Sequence, residues 1–382
     1  MAAPWTPQRA RSAAAELART CTSDTEFEQA AGSLLQRAIG FDLFCMTRID
    51  AESRLPAHGT VAQVDAGLRA CLPRLFRADY ACEVSGQRQV QVVSAETGGD
   101  LRRCARWRDL TGPAGLGDEL SVMLTADGLC WGYLVLYRSA GSSAFSADHA
   151  ALAAQLAPLL GARMRASLRE AAPLPDDQDP PGLVLFDSAL TPLASTAPAG
   201  RHLSNMGLAA EAGLPPFVYA VAARAADTGR VAKTRALSAN GRWKVLHAAP
   251  LTPAGPDKPA IAVTIQSPDD GELFGLFAAA WRLSPRERQV AALIADGRST
   301  RQAAAELFVS ENTVRQHVKS IFAKTAVHSR EELRVALGGR RQPLRDGENN
   351  PLRGMHRRRH PRLCSCACAQ IASSARTASS SP

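Results

Sequence analysis

The spacing of apolar residues divides the chain into blocks of helical and of strand-like period. Residues 8–20 and 24–38 carry the helical period. In the second block Phe27, Ala31, Leu34, Leu35 and Ala38 share one face, and Ser23 or Asp24 stands at the N-cap position. Phe41–Ile49 reads as a buried strand, ended by the turn-forming Asp50–Pro56 stretch, and a helix is expected around Gln63–Ala78. Glu119–Thr125 and Trp131–Tyr137 are apolar runs joined by Ala126-Asp127-Gly128, where Asp-Gly favours the positive φ angles of a tight hairpin. Phe145-Ser146 opens a long amphipathic helix running to about Leu168. This alternation of helices and strands is that of an α+β unit around an antiparallel sheet.

Glu170–Pro181, rich in acidic residues and proline, cannot continue the helix and reads as a linker. A smaller α+β unit follows: a strand at Leu183–Phe186, a helix at Pro215–Asp227, and strands at Thr234–Leu237, Trp243–Ala248 and Ala260–Gln266, with Asn240-Gly241 as a hairpin turn. Gly271–Trp281 reads as a connecting helix. From Gly338 onward Gly, Pro, Arg and Ser dominate, apolar period disappears, and disorder is expected.

Residues 283–337 hold four helix starts in succession. Ser284-Pro285-Arg286-Glu287 places Ser at the N-cap, Pro at N1 and Glu at N3, a capping box, and Gly297 supplies a left-handed stop. Ser299-Thr300-Arg301-Gln302 and Ser329-Arg330-Glu331-Glu332 predict two more boxes. Ser310 offers a single cap, because Thr313 stands at its N3. The two middle helices, about Thr300–Phe308 and Glu311–Lys324, are only a few residues apart, as a helix-turn-helix needs, and Ala303, Ala304 and Ala305 let them approach closely. At about 100° per residue, Val314, Val318 and Ile321 share one arc, continued by Thr325, while Asn312, Arg315, Gln316 and Lys319 share another. The first is a core stripe. The second has the chemistry of major-groove readout, since Arg and Lys donate to guanine O6 and N7 and Gln bonds adenine bidentately. A plain solvated helix face is the alternative.

Composition changes this picture little. The 382 residues carry 45 Lys+Arg against 36 Asp+Glu, a net of +9. From Gly338 onward nine arginines face only Asp346 and Glu348, whereas residues 1–282 come to −1. The basic character therefore belongs mostly to the tail and is no argument by itself for nucleic-acid binding. With 46% hydrophobic and 21% charged residues, whole-chain disorder is excluded. The N-terminus has no apolar stretch of the signal-peptide kind, and the longest apolar runs fall short of the ~18–20 residues of a membrane helix. Nine cysteines without a secretory signal read as reduced thiols, so a cytoplasmic protein with no membrane association is expected.

Leu283-Ser284-Pro285-Arg286-Glu287, Gly297-Arg298-Ser299, Val309-Ser310-Glu311-Asn312-Thr313-Val314 with His317, and Lys324 with Ser329-Arg330-Glu331-Glu332-Leu333 closely resemble the LuxR/GerE-type DNA-binding domain. The resemblance implies four helices, the third entering the major groove. It implies base reading by Arg315, Gln316 and Lys319, which share their arc with Asn312, and phosphate contacts by Thr300, Thr313 and His317. The last helix, Ser329–Leu337, matches the one such domains use to dimerise. Two positions depart: Ala303 stands where the family usually has Ile, leaving less core volume, and Thr325-Ala326 replaces the common Leu-Gly at the exit of the third helix. Gly98-Gly99-Asp100, Gly115–Leu120, Cys130-Trp131-Gly132-Tyr133 and Leu136-Tyr137-Arg138 resemble the GAF-like sensor half of actinobacterial LuxR-type regulators. Residues 182–268, with Gly241-Arg242-Trp243 and His247, resemble the degenerate PAS-like segment that follows it.

The expected architecture is thus multidomain α+β followed by all-α. It comprises a GAF-like sensor domain at 1–168, a linker at 169–181, a PAS-like domain at 182–268, a connecting helix at 269–282, the helix-turn-helix domain at 283–337 and a disordered basic tail at 338–382. No Gly-Lys dipeptide occurs, which excludes a phosphate-cradling P-loop, and the element order argues against a receiver domain. Trp107, Trp131 and Tyr133, with Met123, Phe44 and Met46, either line an apolar ligand pocket or fill the core. Cys45, Cys82, Cys104 and Cys130 are a redox pair in one reading and small buried hydrophobes in the other. His58, His149, His202 and His247 lack metal-ligand spacing, so no metal, cofactor or catalytic site is expected. In the tail, Arg357-Arg358-Arg359 would add phosphate attraction and Cys364, Cys366 and Cys368 could grip a soft metal, unless this is a solvated extension. The reading is a non-enzymatic transcriptional regulator that binds operator DNA as a homodimer, works with RNA polymerase and takes an unidentified small-molecule effector. An acyl-homoserine-lactone receptor, suggested by Gly40-Phe41-Asp42, is one alternative. A ligand-binding GAF protein whose C-terminal helices are only an interaction module is the other.

Overall fold

The computed structural model describes residues 5–21, 23–61, 89–170, 179–206, 214–238, 241–252, 260–269 and 271–338. The helix expected over 63–78, most of the 169–181 linker, Cys82, Asn240 and the tail beyond Gly338 lie outside the described residues.

Helices α1 (Pro7–Thr20) and α2 (Asp24–Ala38) form where the apolar period places them, each opened by a side-chain cap, Thr6 on the Arg9 amide and Ser23 on the Glu26 amide. Strands β1 (Leu43–Ile49), β2 (Pro56–Val61), β3 (Val90–Val92), β4 (Leu116–Ala126) and β5 (Leu129–Ser139) make one antiparallel sheet in the order β2-β1-β5-β4-β3. Asp127 and Gly128 both adopt positive φ, 52° and 76°, so the β4–β5 hairpin closes in the two-residue turn that their sequence favours. After a single helical turn, α3 (Val93–Glu96), the long α4 (Ala147–Glu170) crosses β4 and β5. Gly161 makes that crossing close, since a Cβ there would sit 2.8 Å from the Leu124 backbone. The three long helices bury one face of the sheet around Phe27, Leu34, Met46, Leu124, Trp131 and Leu156.

The second sheet contains β6 (Gly182–Phe186), β7 (Pro192–Ser195), β8 (Ala232–Leu237), β9 (Trp243–Pro250) and β10 (Ile261–Gln266), ordered β7-β6-β10-β9-β8. Helix α5 (Ala197–Asn205) leans on β6, and α6 (Pro216–Thr228) lies on β8, β9 and β10. The sequence pattern misses β7 and α5. Every residue of β7 is exposed, so it carries no alternating signal, and α5 has only nine residues.

Several contacts tie the second sheet to the first and to the connecting helix, among them Thr234 Oγ1, which donates to the Pro56 carbonyl at 3.0 Å. Arg235 of β8 reaches the Asp50 carboxylate through Nε at 2.7 Å and NH2 at 2.6 Å, and both side chains are essentially inaccessible. Its NH1 also donates to the Glu272 carbonyl at 3.1 Å. Trp243 of β9 packs edge-on against Phe277 at 5.8 Å. Phe277 belongs to α7 (Phe274–Ala280), the connecting helix. Helices α8 (Pro285–Ala295), α9 (Thr300–Glu306), α10 (Glu311–Thr325) and α11 (Arg330–Ala336) follow. The apolar core under the first sheet continues through Leu276 and Phe277 into Val290, Ile294, Val314, Ile321 and Leu333. The order is α+β followed by all-α, as the patterning predicts. Among the described residues, no helix is long and apolar enough to cross a membrane.

Candidate nucleic-acid interface

The four C-terminal helices start where their caps stand. Ser284 and Ser299 each accept from the N3 amide while Glu287 and Gln302 reach back to the cap amides, so both boxes close in full. The third is only half a box. Ser329 accepts from the Glu332 amide, but the Glu332 carboxylate turns to the His328 amide at 2.8 Å. Ser310 caps the Thr313 amide at 3.1 Å, and the two hydroxyls pair at 2.9 Å.

Helices α9 and α10 are joined by Leu307–Ser310. Phe308 takes a positive φ of 54° there and is 94% exposed. Val309 donates back to the Ala304 carbonyl at 3.0 Å, and Arg286 of α8 caps the Leu307 carbonyl at 2.9 Å. Ala303 and Ala304 are buried at the crossing, while Ala305 is exposed. The helix-turn-helix is thus pinned from three sides.

Helix α10 divides into the two arcs that its sequence predicts. Val314, Ile321 and Thr325 are buried and Val318 is half-buried, whereas Asn312, Arg315, Gln316 and Lys319 are all exposed on the other side. Among the described contacts, Asn312, Gln316 and Lys319 make no hydrogen bond or ion pair, so their donors face solvent. Arg315 has one, to the Glu311 carboxylate at 3.0 Å. Thr313 and His317 flank this face half-buried. Thr300 opens α9, and its hydroxyl accepts from Arg330 of α11 at 3.1 Å. Arg330 also holds the Arg298 carbonyl at 2.9 Å. Sequence reasoning places Arg330 only at the start of the last helix, because the groups it holds lie thirty or more residues away in the chain.

Beneath the exposed face lies a buried carboxylate that the sequence assigned only to a cap. Glu287 accepts from Ser284 N and Ser320 Oγ at 2.7 Å each and from Lys324 Nζ at 2.6 Å. Burial pushes this carboxyl up, but the hydrogen bonds from Lys324, Ser284 and Ser320 outweigh it and bring it down to about 2. The network ties the N-terminal turn of α8 to the C-terminal part of α10 and so anchors the helix that carries the exposed arc. At the exit, Ala326 adopts the left-handed conformation that the family's glycine would take, with φ 53° and ψ 35°.

The residues proposed from the sequence for a ligand pocket do not line one space. Trp131 is buried against the helices and donates to the Ala126 carbonyl at 3.1 Å. Tyr133 lies on the opposite face of the sheet with Ile49, Met123 and Cys130. Trp107 donates to the carbonyls of Leu116 and Gly117, at 3.1 and 2.9 Å. Met46 and Phe44 belong to the helix-side core with Trp131. Residues 131 and 133 of one strand would share a face by simple alternation; the register irregularity between Leu124 and Thr125, which leaves Trp131 unpaired between Cys130 and Gly132, puts them on opposite sides.

The family of bacterial regulatory proteins called the luxR family matches residues 282–337. The spore germination protein GerE of Bacillus subtilis is 40% identical over 55 residues, 14% of this chain and 74% of that protein. The two-component response regulator PprB of Pseudomonas aeruginosa is 34% identical over 98 residues, 26% of this chain and 33% of that protein, so the chain spans only a third of PprB. A solved structure of the Vibrio cholerae VqmA dimer, described as a LuxR-type receptor, aligns over 42% of this chain and 82% of that one at 15% identity and a TM-score of 0.21. On the helix-turn-helix and the coverage of GerE, this chain belongs to the LuxR family of bacterial regulatory proteins.

Proposed function

We propose that the protein is a non-enzymatic transcriptional regulator of the cytoplasm that binds operator DNA as a homodimer, with α10 in the major groove. One observation carries the reading: Asn312, Arg315, Gln316 and Lys319 are exposed together on a helix whose opposite arc is buried in a doubly boxed helix-turn-helix. In this reading Arg315, Gln316 and Lys319, with Asn312, meet base edges, and Thr300, Thr313 and His317 approach phosphates. Two copies would place their α10 helices one turn of duplex apart, ~34 Å, on a pseudo-palindromic site. Residues 1–168 and 182–268 serve as GAF-like and PAS-like sensor domains joined by a linker at 169–181, residues 283–337 as the output, and RNA polymerase and a small effector as partners. Any effector acts only through differential affinity for two states of the chain.

The test is selection of random duplex DNA by the purified chain at two salt concentrations, with and without residues 338–382. An enriched inverted repeat that survives removal of the tail supports the reading. Binding without a motif that vanishes with the tail overturns it, because phosphate attraction by a basic segment is independent of sequence.

A further inference from the structure

Helix α10 contains one carboxylate, and it sits where a DNA-reading surface would least favour it. Glu311 is the first residue of the helix. At 100° per residue it lies about 40° from Arg315, at the border between the exposed arc and the core stripe. Both side chains are open to solvent, Arg315 at 64% and Glu311 at 44%, yet Arg315 NH2 donates to Glu311 Oε2 at 3.0 Å. A negative charge on this face weakens attraction to any phosphate backbone. An acidic residue in the first turn also favours the helix dipole, which explains its presence but not its pairing with the arginine.

We infer that Glu311 is a positioning residue for sequence readout: it holds the Arg315 guanidinium in the direction from which the remaining N–H donors address one base pair. The inference rests on the DNA-binding reading above. Guanidinium carries five N–H donors in a rigid fork. One of them goes to Glu311, and the others stay available for two parallel bonds to guanine O6 and N7. An unheld arginine at this exposure samples many rotamers and meets phosphates as readily as bases. Glutamate four residues before arginine is the favourable orientation for such a pair. Glu311 thus lowers affinity for all DNA and raises discrimination at one position.

This opposition of sign supplies the test. Random-duplex selection and competition binding would be run with the full-length chain, with Glu311→Ala, with Arg315→Ala and with the double variant. Glu311→Ala should flatten the preference by about twofold to fivefold at the same operator position as Arg315→Ala, while binding to unrelated duplex tightens. The double variant should flatten it no further than Arg315→Ala alone. A uniform change in affinity with the motif intact would mean that Glu311 serves only the helix, and flattening at a different position would mean that it reads a base itself; either overturns the inference. If the wild-type chain enriches no motif, both the inference and the DNA-binding reading fall; an enriched motif that survives Glu311→Ala removes the inference alone.

Discussion

Arg315 and Lys319 are cationic donors that the 100° step puts on the exposed arc, whereas the apolar Val314 and Ile321 fall on the buried one, and chemistry and placement together fix the consequences of substitution. Arg315→Ala or Lys319→Ala should cost about 1–3 kcal/mol on the preferred site and relax the preference at one position, read by competition between matched and mismatched duplexes. Thr313→Ala should weaken all sequences alike. A different residue-scale effect concerns Ala326, which closes α10 in the left-handed region where a side chain is disfavoured. Ala326→Gly should raise stability by about 0.5–1 kcal/mol, the relief of that strain less the extra freedom of glycine in the unfolded chain. Thermal unfolding of the two chains measures it. Glu287 sets a pH dependence. Its carboxyl is held lower in the folded chain, at about 2, than in the unfolded one. Its stabilisation, of the order of 2–3 kcal/mol, is therefore complete above the ordinary carboxylate range and lost as pH falls from about 4.5 towards 2. Glu287→Gln should flatten that part of a denaturation profile taken from pH 6 to pH 2.

At the scale of elements, the hairpin tip of the first sheet meets the start of the helix-turn-helix. Asp127, held at positive φ by its turn, pairs with Arg165 of α4 and with Arg282 at 2.9 Å. Trp281 lies under the Arg169 guanidinium at 5.2 Å and donates to the Ala336 carbonyl of α11 at 3.3 Å. The sheet, the long helix α4 and both ends of the C-terminal bundle therefore converge on residues 281–282. Arg282 is exposed, and exposed ion pairs contribute only about 0–1 kcal/mol, so Arg282→Gln, which leaves Asp127 paired with the largely buried Arg165, should barely alter global unfolding. It should speed amide exchange at Leu283 while leaving the core amides of β4 unchanged, a local opening that hydrogen exchange resolves.

Across the whole molecule, the buried Asp50–Arg235 pair fastens the second sheet to the first. Removing one partner leaves an uncompensated charge in the interior, and such losses run to about 3–5 kcal/mol. Arg235→Met alone should lower the denaturation midpoint strongly, and Arg235→Met with Asp50→Asn should recover much of the loss, because the second change removes the stranded charge. Chemical denaturation of the single and double variants checks it.

The sequence by itself determined the elements whose information is local. The caps at Ser284 and Ser299, the Asp127-Gly128 turn and the two arcs of α10 rest on residues at most a few positions apart, and all of them stand in the structure as read. Local spacing says less where no periodic face exists, as at the exposed strand β7. It also says nothing about which side of a sheet a lone aromatic takes, so Trp131 and Tyr133 had to be separated by strand pairing. The Glu287–Lys324, Thr300–Arg330 and Asp50–Arg235 contacts were decided only by the tertiary structure. Their partners are 37, 30 and 185 positions apart. No propensity at either position encodes the other, since such contacts are chosen by what packing brings together, and for the buried Asp50–Arg235 pair by an interior that leaves neither charge alone.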